Sequence, residues 1–122
     1  MNMSCQNFVN EIVALSEGMQ VSHRETVEYF SPNEPPVTAL FAAIGDRIAK
    51  DFDGTSADVN QRVFGLIEDA MAGESIQLMT AVATGLIEAL ATQKDRNEGL
   101  WLRISPMLGT RSLYHAKAWL ES

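Results

Sequence analysis

The chain has 122 residues, 46% of them apolar and 20% charged, with a formal net charge of −7 and one cysteine. That size and usage predict a single domain over residues 1–122 with one core and exclude a disordered chain, while the lone Cys5 excludes an internal disulfide. No stretch approaches the roughly 18 uncharged apolar residues of a membrane span, and Met1-Asn2-Met3-Ser4-Cys5 lacks the basic-then-apolar pattern of a leader, so a cytoplasmic protein is expected.

Helical periodicity runs from end to end, and no alternating segment is long enough to argue for a sheet. The expected fold class is therefore all-α: a compact bundle of about six to seven helices. The first helix is predicted over residues 4–17, with Cys5, Phe8, Val9, Ile12, Val13 and Leu15 as its apolar face and Gly18 as its end. Cys5 on that face reads as a small packed hydrophobe. Ser22-His23-Arg24-Glu25 has the spacing of a capping box and predicts a second, short helix running through Phe30. Ser31-Pro32-Asn33-Glu34-Pro35-Pro36 breaks it, because prolines remove amide donors and force extended backbone.

From Val37 to about Phe52, Val37, Leu40, Phe41, Ile44 and Ile48 recur at helical steps, with Asp46, Arg47, Lys50 and Asp51 on the wet side. A turn at Asp53-Gly54 leads to Thr55 or Ser56 as a cap, then to a fourth helix with Val59, Val63, Phe64, Ile67, Ala70 and Met71 as its stripe, closed by Gly73. Ser75 caps the next segment, residues 75–92, which is apolar nearly all round apart from Gln77 and Glu88. Such a helix is normally buried, and it is predicted to be the central one. The polar run 93–99 reads as a solvated loop. A short helix from Glu98 to Ile104 is expected next, then a left-handed Gly109 cap and a last helix from Thr110.

Catalytic and ligand-binding motifs are missing from this pattern. No Glu-x-x-His pair is present for a di-iron centre, and Cys5, His23 and His115 are too scattered for zinc. Asp51-Phe52-Asp53-Gly54 has the opening of a calcium loop, but its glycine comes two positions early and Arg62 stands at the twelfth position. No metal, cofactor or enzymatic activity is expected. His23 reads as a surface residue, and His115 as packed or solvated on the last helix. Glu88 within an apolar face needs a donor, for which a loop amide or the Trp101 indole is the natural choice. Trp101 and Trp119 read as core residues in preference to binding anchors.

Charge is the remaining signal. Residues 1–74 hold twelve Asp/Glu and four Lys/Arg, whereas residues 75–122 hold four acids and five bases. Five of the nine bases follow position 93 but are interleaved with acids, so no nucleic-acid patch forms, and the acidic part repels phosphates and anionic membranes. Acidity of this kind either steers a basic partner or simply keeps a small domain soluble.

Ala83-Thr84-Gly85-Leu86-Ile87-Glu88-Ala89-Leu90, followed by Met107-Leu108-Gly109-Thr110-Arg111-Ser112 and an aromatic helix ending near Trp119, resembles small all-helical bacterial proteins of uncharacterised function. Some of these look like immunity proteins that accompany secreted or contact-delivered toxins. The likeness spans roughly residues 37–120, departs at Thr110, where proline is expected, and carries over no functional residue. It implies a protein partner, and a basic nuclease-like toxin suits the acidic surface because an acidic inhibitor captures a basic target quickly. On that expectation Glu25, Glu28, Glu34, Asp46, Asp51, Asp53 and Asp58 are the candidate contacts. A helical adaptor or regulatory subunit, monomeric or self-associating, is the alternative, and a small-ligand protein with a pocket at Glu88 or His115 the third.

Overall fold

The computed structural model describes residues 4–122, and among these every regular element is helical. We number seven helices: α1 Cys5–Val13, α2 Glu17–Phe30, α3 Val37–Asp51, α4 Ala57–Ala72, α5 over residues 76–96, α6 Glu98–Ile104 and α7 Thr110–Glu121. Short 3₁₀ turns, Phe52–Gly54 and Ser105–Met107, precede α4 and α7.

The helix starts follow from short polar side chains. Ser4, Ser16, Ser56 and Ser75 each accept a hydrogen bond from the backbone amide three residues on, at 3.1–3.2 Å, and the Asn97 side chain does the same for Leu100. Each such cap contributes about 1 kcal/mol by satisfying an amide that the helix leaves without a partner.

Ser16 also corrects the expected N-terminal boundaries. The first helix ends at Val13 instead of near residue 17, and α2 begins at Glu17, with an acid in its first turn where the helix dipole favours one. Ser22 and Glu25 therefore lie in a helix interior and form no capping box. Thr26 donates to the Ser22 carbonyl at 2.8 Å. Gly18 does not stop a helix. A Cβ there would run into the Asp51 carboxylate, so its small size lets the start of α2 approach the end of α3.

The predicted central helix is central in fact. In its middle, Val82–Ile87 adopts π-helical i→i+5 bonding between the α-helical stretches Ile76–Ala81 and Glu88–Ala91. Five of these six residues are buried, and only Thr84 is exposed. An ordinary surface helix would turn about half of them outward. Here α3 crosses on one side while α4 and α7 pack on others.

Two glycines set the depth of the α3–α5 crossing. A Cβ on Gly85 would stand 2.7 Å from the Phe41 Cβ and 3.0 Å from the Thr38 carbonyl oxygen, and one on Gly45 would stand 2.6 Å from the Leu86 carbonyl oxygen. Around this crossing lie Phe8 and Phe41, stacked at 5.4 Å, together with Ile12, Ile44, Ile67, Val82, Leu86, Ile87 and Ile104.

Beyond Ala91, the run expected as a loop forms another helical turn, Gln93–Arg96, because Thr92 keeps right-handed helical angles, and Asn97 breaks it. Gly109 is not left-handed. Its φ is −68°, and it is the N-cap of α7, where close packing against Glu68 leaves no space for a side chain. Trp101 is buried as expected, but Trp119 on the last turns of α7 is 37% exposed. No helix among the described residues is long and apolar enough to cross a membrane.

Candidate functional site

Helix α2 is the least buried of the long helices. Of its 14 residues only Met19 is buried; Gly18, Val21, Ser22, His23, Thr26 and Phe30 are partly covered, and the remaining seven face outward. Glu17 and Glu28, eleven residues or about three turns apart, share that outer face, and Glu25 lies beside them. Glu25, Glu28 and, in the loop that follows, Glu34 are all exposed, and none takes part in an ion pair among the described residues. Tyr29 of the same helix is 82% exposed, with its ring edge-on to Phe30. An exposed aromatic ring on a helix that also carries unpaired carboxylates is the kind of surface that anchors a protein contact.

Beside this face lies a groove of about 490 Å³, walled by Cys5 and Val9 of α1, His23 and Val27 of α2, the 31–35 loop, and Val37, Leu40 and Phe41 of α3. His23, expected on the open surface, is half-buried in this wall. The Ser31–Pro32 peptide in the loop is cis.

The other sequence-derived candidates are placed differently. Asp51 accepts from Arg47 Nε at 2.9 Å, one helical turn away. Asp53 receives two bonds from Arg103, at 3.0 and 2.8 Å, and the same guanidinium reaches the Gly99 carbonyl. The Arg103 hydrogen bonds hold the Asp53 carboxyl below its ordinary value, with the charge of the guanidinium adding to the effect. Asp58 is exposed in the first turn of α4, where it complements the helix dipole. Asp46 is exposed on α3, yet neighbouring packed atoms raise its carboxyl above the usual range, a shift that Arg96 partly opposes. The seven candidates thus fall into three groups: Glu25, Glu28 and Glu34 on α2 and its loop, Asp51, Asp53 and Asp58 at the α3–α4 connection, and Asp46 toward Arg96.

Two arrangements were invisible in the sequence. The Glu68 carboxylate of α4 accepts from the amides of Arg111 and Ser112, each at 3.0 Å, and from the buried Ser112 hydroxyl at 2.7 Å. Desolvation pushes this carboxyl up, but the three hydrogen bonds and the charge of Arg111 together outweigh it and leave Glu68 below its ordinary value. It replaces the missing side-chain cap of α7. Second, the donor for Glu88 is neither a loop amide nor the Trp101 indole but His115, whose Nε2 lies 2.9 Å from Glu88 Oε2. The pair ties α5 to α7, both side chains are partly exposed, and neither lines the α1–α2–α3 groove. Among the described residues, no three His, Cys, Asp or Glu side chains converge as metal ligands would. Comparison of the chain with protein-family models, with curated proteins and with solved structures finds no match to any of the three.

Proposed function

We propose that this chain is a non-catalytic binding protein that neutralises a basic, nuclease-like toxin domain in the manner of an immunity protein, with α2 and the loop after it as the contact surface. The observation that carries this reading is that Glu25, Glu28 and Glu34 are exposed and, among the described residues, free of ion pairs, on a helix and loop that also expose Tyr29. Carboxylates already paired within a chain lose those pairs on binding, whereas free ones gain from a cation and speed encounter. This ranks the α2 group above Asp51 and Asp53, whose arginines are already in place.

The test is co-expression with the product of the neighbouring gene, followed by titration of the purified pair at low and high salt. Glu25→Lys, Glu28→Lys and Glu34→Lys together are expected to weaken the complex at least tenfold and to flatten its salt dependence. Unchanged affinity and unchanged salt dependence in the triple variant would refute the acidic-surface reading.

A second reading, a helical adaptor or self-associating subunit, is favoured by a different observation: Leu102, Tyr114 and Trp119 are 63%, 77% and 37% exposed. An interface built on these residues binds equally well in high salt and is weakened by Tyr114→Ala with Trp119→Ala. Sedimentation of the chain alone at rising concentration detects the self-associating form.

A further inference from the structure

The groove beside α2 combines three properties that together specify what fits it. Its inner wall is apolar and partly open: Val27 and Val37 are 40% and 50% exposed at its edges, with Leu40 below them. Its electrostatic surroundings are predominantly negative. The stretch that builds it, residues 5–41, contains five glutamates, one arginine, Arg24, and one histidine, His23; among the described residues Glu34 is the one carboxylate in the wall, which His23 lines but no Lys or Arg does.

Its loop wall is rich in acceptors. Three of the six residues 31–36 are prolines, which carry no amide hydrogen, and the amides of Ser31 and Asn33 are already given to the carbonyls of Glu28 and Phe30. Among the described residues, no hydrogen bond reaches the carbonyls of residues 31–35. An apolar floor beside free carbonyls and a carboxylate is complementary to a side chain such as Leu or Trp adjoining a Lys or Arg. It disfavours an acidic segment on charge and a purely polar one on desolvation.

We infer that this groove is where the chain seats a protruding segment of its protein partner, an apolar anchor residue flanked by lysine or arginine, with the cation directed to Glu34 and the loop carbonyls. The inference rests on the acidic-surface reading above and adds to it the point of entry. A volume of about 490 Å³ is enough for one large side chain and its flanking backbone but not for a folded element.

The isotope-labelled chain is titrated with acetyl-Lys-Leu-Trp-Lys-amide, acetyl-Glu-Leu-Trp-Glu-amide and acetyl-Lys-Gly-Gly-Lys-amide while methyl resonances are followed by NMR. The first peptide is expected to shift the methyls of Val27, Val37 and Leu40 and to bind at least tenfold more tightly than either of the others. Val37→Trp, which fills the mouth from a half-exposed position, should weaken that peptide at least tenfold, and Glu34→Lys in the exposed loop at least fivefold. Equal binding of the three peptides, shifts confined to another surface, or indifference to both substitutions overturns the inference. Against the partner itself, a complex weakened by reversing Glu25 and Glu28 but unaffected by Val37→Trp rejects the groove and leaves the acidic surface standing. A complex unaffected by any of these changes rejects both.

Discussion

Alanine at Gly85 should destabilise the protein although alanine is the better helix former. The added methyl would lie 2.7 Å from the Phe41 Cβ and 3.0 Å from the Thr38 carbonyl oxygen, against a normal separation of roughly 3.5–4.0 Å between carbons. Both neighbours belong to the backbone or its first side-chain atom on α3, so neither can rotate away, and the two helices must separate. Overpacking of this kind costs about 1–3 kcal/mol, and the gain in helix propensity offsets about 0.5–1 kcal/mol of it. The net expectation for Gly85→Ala is a loss of about 1–2 kcal/mol, or about 4–8 °C in Tm for a chain of this length. Gly45→Ala should behave alike, since its Cβ would meet the Leu86 carbonyl at 2.6 Å and the Ala89 Cβ at 2.9 Å. The double variant should lose less than the sum, because a crossing opened by one methyl already accommodates the other. Gly65 is the control: it is exposed in mid-α4 with nothing within 4 Å of its Cβ position, so Gly65→Ala should stabilise by about 0.5–1 kcal/mol. Urea unfolding followed by far-ultraviolet circular dichroism measures all four. If Gly85→Ala stabilises as much as Gly65→Ala, α3 and α5 do not cross closely enough for a Cβ at Gly85 to meet Phe41.

Glu68→Ala removes the cap of α7 and should cost about 1–2 kcal/mol at neutral pH. Since folding lowers this carboxyl, its contribution is present above its ordinary value of 4.5 and disappears as pH falls through the folded value. The gap between wild type and Glu68→Ala in urea midpoint should therefore close on acidification, and a gap constant from pH 6 to pH 3 refutes the carboxylate cap. Asp46 has the opposite sign: its raised carboxyl makes ionisation cost stability above its folded value, so Asp46→Asn should raise the urea midpoint at pH 7 and leave it unchanged in acid. Arg103→Ala removes an exposed pair and should leave Tm within experimental error, with a large drop showing that this pair pins the α3–α4 connection to α6. A double-mutant cycle on Glu88→Ala and His115→Ala should give a coupling of about 0.5–1 kcal/mol, typical of partly exposed pairs, and a value near zero shows that the contact is not populated in solution.

The candidate surface was only partly legible beforehand. Excess acid in the first three fifths of the chain is a matter of counting, but which carboxylates are free is not. Asp53 and Arg103 lie fifty positions apart and meet only because α6 returns beside the end of α3. Glu88 plainly needed a donor, yet His115 became that donor through the packing of α7 on α5, across 27 positions that no local rule spans. The boundary error at α2 had a local cause. Ser16 and Ser22 are both competent caps, and the earlier one prevails because a start at Glu17 carries Met19 into the core and lays Gly18 against the Asp51–Arg47 pair.

By itself, then, the amino-acid order determined the all-helical class, the caps at Ser56 and Ser75, the break at the prolines and the central place of residues 75–92. These depend on side chains within three or four positions of one another, and on a segment too apolar to face water. Only the tertiary structure decided that this central helix widens into a π turn and that two glycines let α3 sink against it. It also decided that Glu68 caps a helix 43 positions away and that α2 has its acidic face and neighbouring groove left uncovered by the described residues. Those outcomes depend on which helices come to lie side by side. That is settled by the simultaneous fit of many side chains from distant parts of the chain, and hydrophobic periodicity, which is blind to partner identity, does not encode it.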